Sequence, residues 1–282
     1  MSLIRFAAGC AVLYGLAMPT GAQETLTLKR SDSKDVAVSA YLPKGVACNG
    51  WAVISPGAGG SETGYRYLGE ALSSLGYLAV VVGHQESGRR AVLENVRESG
   101  LRAGLEELIT EPEAYRARFQ DIAASGQWAR ARCASSMSIL IGHSMGAATT
   151  LMEAGAKNKV GIQGSDSYSA YVAISPQGAG IIFPAGAWEG ITKPVLMLTG
   201  TRDKELGGAS WEVRTEPFSN MKPGCKWLGV LDGATHMNFA GFGASRKTEA
   251  RTVQAIGAFL EGVTRGDCSL GGRIAGVELS RK

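Results

Sequence analysis

Five short stretches of this chain are apolar from end to end and stop at glycine, proline or another turn residue: "WAVISPG" (Trp51–Gly57), "YLAVVVGH" (Tyr77–His84), "SILIGHS" (Ser138–Ser144), "AYVAISP" (Ala170–Pro176) and "PVLMLTG" (Pro194–Gly200). Runs this short and this rich in Val and Ile, with no polar alternation, are what strands buried on both faces look like. "ETLTLKR" and the alternating "VAVSAYLP" (Val36–Pro43) add candidates before them, and "CKWLGVLDGA" (Cys225–Ala234) adds one after. Helical patterns fill the gaps. "TGYRYLGEALSSLGY" puts Tyr65, Leu68, Leu72 and Leu75 on one face, with Gly76 as the stop. "KTEARTVQAIGAFLEG" aligns Val253, Ile256, Phe259 and Leu260 in the same way. Strand and helix in alternation predict an α/β fold, a mostly parallel sheet with helices on both faces and right-handed crossovers. The longest gap, His84 to Ser138, reads as two helices, the second with Pro112 in its first turn. One crossover helix suffices there. The other is an insertion past a strand's C-terminal end, the side where such sheets take ligands. No linker or internal repeat divides the chain, so residues 23–282 are expected to form a single domain.

Composition narrows the classes. Residues 1–22 read as a cleavable signal peptide: Arg5, an apolar stretch from Phe6 to Met18, then Pro19 and the small residues Thr20-Gly21-Ala22. About 13 apolar residues are too few to span a bilayer, and no later stretch does better. Cys10 lies inside the apolar stretch and not after it, which argues against a lipid-anchored form. The expected location is therefore secreted or periplasmic, with no stable membrane insertion. Lys plus Arg number 29 against 25 Asp plus Glu, interspersed and without a basic run, so no nucleic-acid partner is expected. Beyond residue 22 four cysteines remain, Cys48, Cys133, Cys225 and Cys268, an even count that in an exported protein predicts two disulfides. Three pairings are open at this point. No C-x-x-C occurs and the spacings do not suit zinc, so no metal site is expected.

The chemistry centres on "GHSMG", Gly142 to Gly146, a G-x-S-x-G pattern that follows an apolar strand and precedes the small-residue helix start "AATTLMEAGA". That context marks a nucleophile elbow: the strand turns sharply into the helix and leaves Ser144 in a strained conformation, with no room for side chains two residues to either side. A serine hydroxyl needs a base, and the chain has three histidines. His143 leaves the elbow in another direction. His84 ends a strand and is expected to line the site in a structural or substrate-contact role. His236, in "LDGATHMNFAG", is the only one downstream of the serine, as the order Ser, acid, His requires. For the acid, Asp203 in "TGTRDKE" follows a strand and is preferred over Glu205 and Asp232. Two backbone amides should form an oxyanion hole: Met145, after the nucleophile, and Ala58 in the glycine-rich "PGAGGS" loop. A phosphate-binding reading of that loop fails because the Walker lysine is absent.

These stretches together ("SPGAGGS", "TGYRYLGEALSSLGY", "GHSMG", "SPQG", "TGTRD" and "DGATHMNF") resemble the α/β-hydrolases, in particular the branch labelled predicted dienelactone hydrolases, related to platelet-activating-factor acetylhydrolases and polyester hydrolases. The resemblance runs from about Val36 to Glu261. It implies an α/β-hydrolase fold with an eight-stranded, mostly parallel sheet, a helical insertion between the fourth and fifth strands, and a triad of Ser144, Asp203 and His236. Two departures matter: Pro56 stands where relatives commonly have histidine, and true dienelactone hydrolases use a cysteine where this chain has Ser144. In that topology Cys48 and Cys133 enter the sheet from its N-terminal edge, and Cys268 returns to the edge where Cys225 begins the last strand. The pairings Cys48–Cys133 and Cys225–Cys268 are therefore expected.

The resulting expectation is a monomeric serine esterase acting on a small-molecule or polymeric ester through an acyl-enzyme, with no cofactor. The insertion and the loop Pro176–Trp188 should shape the pocket, with Phe183, Trp188 and His84 as substrate contacts. An acyltransferase with the same triad and a non-catalytic binding protein are the alternatives. Haloalkane dehalogenase and epoxide hydrolase chemistry fail, since both need a carboxylate at the position of Ser144.

Overall fold

The computed structural model describes residues 23–45, 47–241, 245–269 and 273–282, so the expected signal peptide lies outside the described residues. In chain order the elements are β1 (Gln23–Lys29), β2 (Asp35–Tyr41), β3 (Gly50–Ser55), α1 (Arg66–Ser74), β4 (Tyr77–Val82), α2 (Arg89–Ser99), α3 (Leu101–Thr110), α4 (Pro112–Arg132), β5 (Ser138–His143) and α5 (Met145–Glu153). There follow β6 (Ala170–Ile174), β7 (Val195–Gly200), α6 (Glu216–Asn220), β8 (Lys226–Leu231), α7 (Arg246–Arg265) and β9 (Val277–Arg281). The strands form one sheet in the order β1-β2-β4-β3-β5-β6-β7-β8-β9. The six from β4 to β8 run parallel, and antiparallel strands close both edges. This is the mostly parallel α/β sheet that the alternating pattern predicts, in the α/β-hydrolase arrangement that the resemblance implies.

Every residue of β3, β4, β5, β6, β7 and β8 is buried, because helices cover both faces. The period of two sorts their side chains. Ala52, Ile54, Ile139 and Ile141 pack with Leu68 and Leu72 of α1 and Ile256 and Phe259 of α7. Their alternates Val53 and Leu140 pack with Tyr115 and Ile122 of α4 and Leu151 of α5 on the other face. Helix ends follow local chemistry: Glu111 caps α4 ahead of Pro112, Ser245 caps α7 by accepting from Thr248 N–H, and Gly266 ends α7 at a φ of 71°.

Three details depart from the sequence expectation. The sheet has nine strands, the extra one being β9, an exposed edge strand too polar to stand out. The gap between β4 and β5 holds three helices and not two, since Gly100 at a φ of 81° breaks the first pattern into α2 and α3. Leu75 lies past the end of α1 and is 43% exposed, off the buried face.

Both disulfides join as the topology implies. Cys48 meets Cys133 with Cα atoms 5.7 Å apart, and Cys225 meets Cys268 at 5.6 Å. By the chain-entropy argument, loops of 85 and 43 residues give each bond a stabilisation on the order of 4 kcal/mol. Such bonds fit an oxidising compartment. No helix among the described residues is long and apolar enough to cross a membrane.

Candidate active site

The residues brought together all sit at the C-terminal ends of parallel strands, where loops meet over the sheet. Ser144 follows β5 with φ 56° and ψ −117°, a conformation that non-glycine residues reach only under strain. The glycines of the motif are needed for space. A Cβ on Gly142 would lie 1.9 Å from the Gly146 carbonyl oxygen, and one on Gly146 would lie 2.0 Å from that of Ser55. The second contact packs α5 directly against the end of β3, which brings the serine beside the loop after that strand.

His236 opens a short 3-10 turn, His236–Ala240, fixed by a reciprocal cap between Thr235 and Asn238. Its Nδ1 lies 2.9 Å from Asp203 Oδ1 and its Nε2 lies 2.9 Å from Ser144 Oγ. A carboxylate only accepts, so Nδ1 carries the proton and Nε2 accepts from the serine hydroxyl. Asp203 is fully buried and follows β7. Thr199 Oγ1 donates to its Oδ2 at 3.0 Å, and Arg214 Nε lies 2.9 Å from its Oδ1. Burial pushes this carboxyl up, but the His236 hydrogen bond and the Arg214 charge outweigh it and hold it below its ordinary value. Arg214 itself is buried and donates to the carbonyls of Asp203, Lys204, Ser175 and Pro176, tying the loops after β6 and β7 together. The other candidates for the acid stand apart: Glu205 accepts from Gly178 N–H, and Asp232 lies just past β8 and is exposed.

The amides of the loop after β3 separate cleanly. Gly57 N–H donates to Tyr65 Oη at 3.2 Å, Gly59 N–H to the Ser87 carbonyl at 2.8 Å and Gly60 N–H to the Gly57 carbonyl at 3.1 Å. Pro56 has none. Among the described residues Ala58 N–H is the one amide of Gly57–Gly60 without an acceptor, and Met145, first residue of α5, has the unpaired N–H of a helix start. Gly57 packs closely on the serine: a Cβ there would lie 3.2 Å from Ser144 Cβ.

His143 is a strut and not a base. Its Nε2 donates to the His236 carbonyl at 3.2 Å, and its Nδ1 accepts from Tyr65 Oη at 2.7 Å. Burial, with the neighbouring His236, holds its pKa well below the ordinary histidine value, so it stays neutral. Tyr65 therefore links the glycine-rich loop to His236 through His143.

The expected substrate contacts need correction. Phe183 and Trp188 are fully buried, with ring centroids 5.4 Å apart, and serve packing; the large apolar side chain that the loop Pro176–Trp188 exposes is Ile181. His84 is 3% exposed and both ring nitrogens are engaged, Nε2 with Ser55 Oγ and Nδ1 with Asp121 Oδ2, each at 2.9 Å. It belongs to the interior. Arg214 and Tyr65 escaped sequence reasoning because nothing local marks them; each acts on residues far along the chain. Among the described residues no group of three or more His, Cys, Asp or Glu could hold a metal ion. A cleft of about 630 Å³ between α1 and α7, lined in part by Tyr41, Lys44 and Arg246, includes none of the residues above.

The strand order, with helices on both faces, is that of the α/β-hydrolase fold. An esterase of Pyrococcus furiosus has a similar structure, with a TM-score of 0.54 at 14% sequence identity, over 84% of this chain and 92% of that one. At this identity the likeness is one of fold. No family model matches the chain, and no curated protein matches it.

Proposed function

We propose that this protein is a secreted serine hydrolase of carboxylic esters. The observation that carries the reading is the continuous array Ser144–His236–Asp203, with both hydrogen bonds at 2.9 Å, ending on a serine beside two unpaired amides. His236 takes the Ser144 proton as Oγ attacks the ester carbonyl. Ala58 and Met145 N–H groups hold the oxyanion. His236 then delivers the proton to the departing alcohol, leaving an acyl-enzyme, and deprotonates the water that releases the acid. Asp203 keeps the imidazole in the required tautomer and balances its charge. The chain's own groups supply every step. A small-molecule or polymeric ester would be the substrate, and the signal-peptide reading of residues 1–22, with the two disulfides, supports export. The test is Ser144→Ala assayed on p-nitrophenyl acetate, alongside fluorophosphonate labelling. Loss of both turnover and label is expected. Undiminished turnover by the variant would eliminate the mechanism.

A further inference from the structure

Helix α4 carries two charged side chains into the core, Arg118 and Asp121. Arg118 is fully buried. Its Nη1 donates to the Pro56 carbonyl at 2.8 Å and approaches Ser55 Oγ at 3.3 Å, while its Nε donates to Ser87 Oγ at 2.8 Å. Ser87 in turn accepts Gly59 N–H on its carbonyl at 2.8 Å. One guanidinium thus grips the glycine-rich loop on both sides of Ala58: directly at Pro56, and through Ser87 at Gly59. With Gly57 held by Tyr65, every residue flanking Ala58 in this loop is anchored, and the Ala58 amide is the one left over.

Support comes from a second buried group. Ser55, His84 and Asp121 form a hydrogen-bonded row, and Arg30 Nη1 reaches Asp121 Oδ1 at 3.1 Å. Stability alone is a poor reason for this arrangement. Burial pushes the Arg118 guanidinium down to about 10, and its Nη2 has no protein acceptor among the described residues. Apolar side chains of similar volume commonly serve a core as well or better than buried charges.

We propose that Arg118 is a positioning residue for the oxyanion hole, fixing the loop Pro56–Gly60 so that the Ala58 amide stays aimed at the oxygen that charges during acyl transfer. The proposal rests on the esterase reading. It assigns Arg118 a role in the transition state and none in ground-state binding, because the ester carbonyl gains its negative charge only on attack.

The experiment compares Arg118→Met, Arg118→Lys and Ser87→Ala in the full chain. It reads kcat and KM on p-nitrophenyl acetate, and hydrogen exchange of the backbone over residues 56–60. Arg118→Met should lower kcat by about 10²-fold, the scale of one lost oxyanion donor, with KM within about threefold. Arg118→Lys should recover part of that loss, since an ammonium keeps the charge but lacks the planar fork that joins Pro56 to Ser87. Ser87→Ala removes a single hydroxyl and should fold even where Arg118→Met does not; it should cost roughly three- to tenfold in kcat and speed exchange of Gly59 N–H. Unchanged kcat and unchanged exchange in Ser87→Ala and Arg118→Lys would overturn the proposal, as would a rise in KM with kcat intact. A wild-type protein inert toward the ester overturns the esterase reading itself, an outcome visible before any variant is compared.

Discussion

The molecule contains two rows of Ser, His and Asp with the same spacing and opposite prospects. Ser144–His236–Asp203 and Ser55–His84–Asp121 each show hydrogen bonds of 2.9 Å on both sides of the imidazole. In the first, the serine sits in a strained turn beside unpaired amides, and the His236 side chain is 29% exposed. In the second, Ser55 ends a regular strand, is fully buried and also faces Arg118. Burial, then Arg118 and Arg30, hold His84 well below the ordinary histidine pKa, which disfavours its charged form. The carboxyls differ too: Asp203 is held low, whereas burial pushes Asp121 up to about 7 against its hydrogen bond from Arg30. A hydrogen-bonded row is therefore not what makes a serine reactive. What separates Ser144 from Ser55 is access, a strained turn and the unpaired amides beside it, and the loops over the strand ends supply these.

The largest expected effect that would test this contrast is Ser144→Ala, with kcat falling by about 10⁴- to 10⁶-fold. Peptide mapping after fluorophosphonate treatment should place the label on Ser144 and none on Ser55; label on Ser55 would dissolve the distinction. Asp203→Asn should come next, at up to about 10⁴-fold in kcat with the fold intact, because the amide can stabilise the wrong tautomer. Ser55→Ala should stay within about tenfold in kcat, while melting shows a loss on the order of 1–3 kcal/mol from the buried partners left behind. A loss of activity as large as that of Ser144→Ala would refute the supporting role of the second row.

The smallest effect concerns pH. A carboxyl whose folded pKa is raised adds stability below its unfolded value, near 4, that is lost as pH climbs toward the folded value of about 7. Asp203, held low, behaves oppositely: its contribution is present above pH 4 and fades on acidification below it. Thermal melts of Asp121→Asn against wild type should therefore show a flatter pH profile between about 4 and 7, by a few °C. Parallel profiles would show that Asp121 titrates normally.

Much of the geometry of the candidate site is legible in the primary structure because it is local. The strands announce themselves as apolar runs, and the glycines around Ser144 report a turn that leaves no room for a Cβ. His236 could be chosen by elimination among three histidines. What escaped was non-local or faint. Gly100 breaks a helical pattern that a glycine can also merely tolerate, and β9 alternates exposed residues on a sheet edge. A further faint signal lies in α4, where Arg118 and Asp121 share the buried face with Tyr115 and Ile122 and a charge needs a reason to be.

The sequence alone thus settles the layered α/β arrangement, the strained serine and the chain order of Ser144, Asp203 and His236, since periodicity, steric exclusion at glycine and motif order act over a few residues. Tertiary structure alone decides which amide in the glycine-rich loop stays unpaired, which arginine steadies Asp203, that His143 is a strut, and that Phe183, Trp188 and His84 face inward. Those outcomes depend on hydrogen bonds and burial between segments tens of residues apart, and packing, not local preference, brings such segments together.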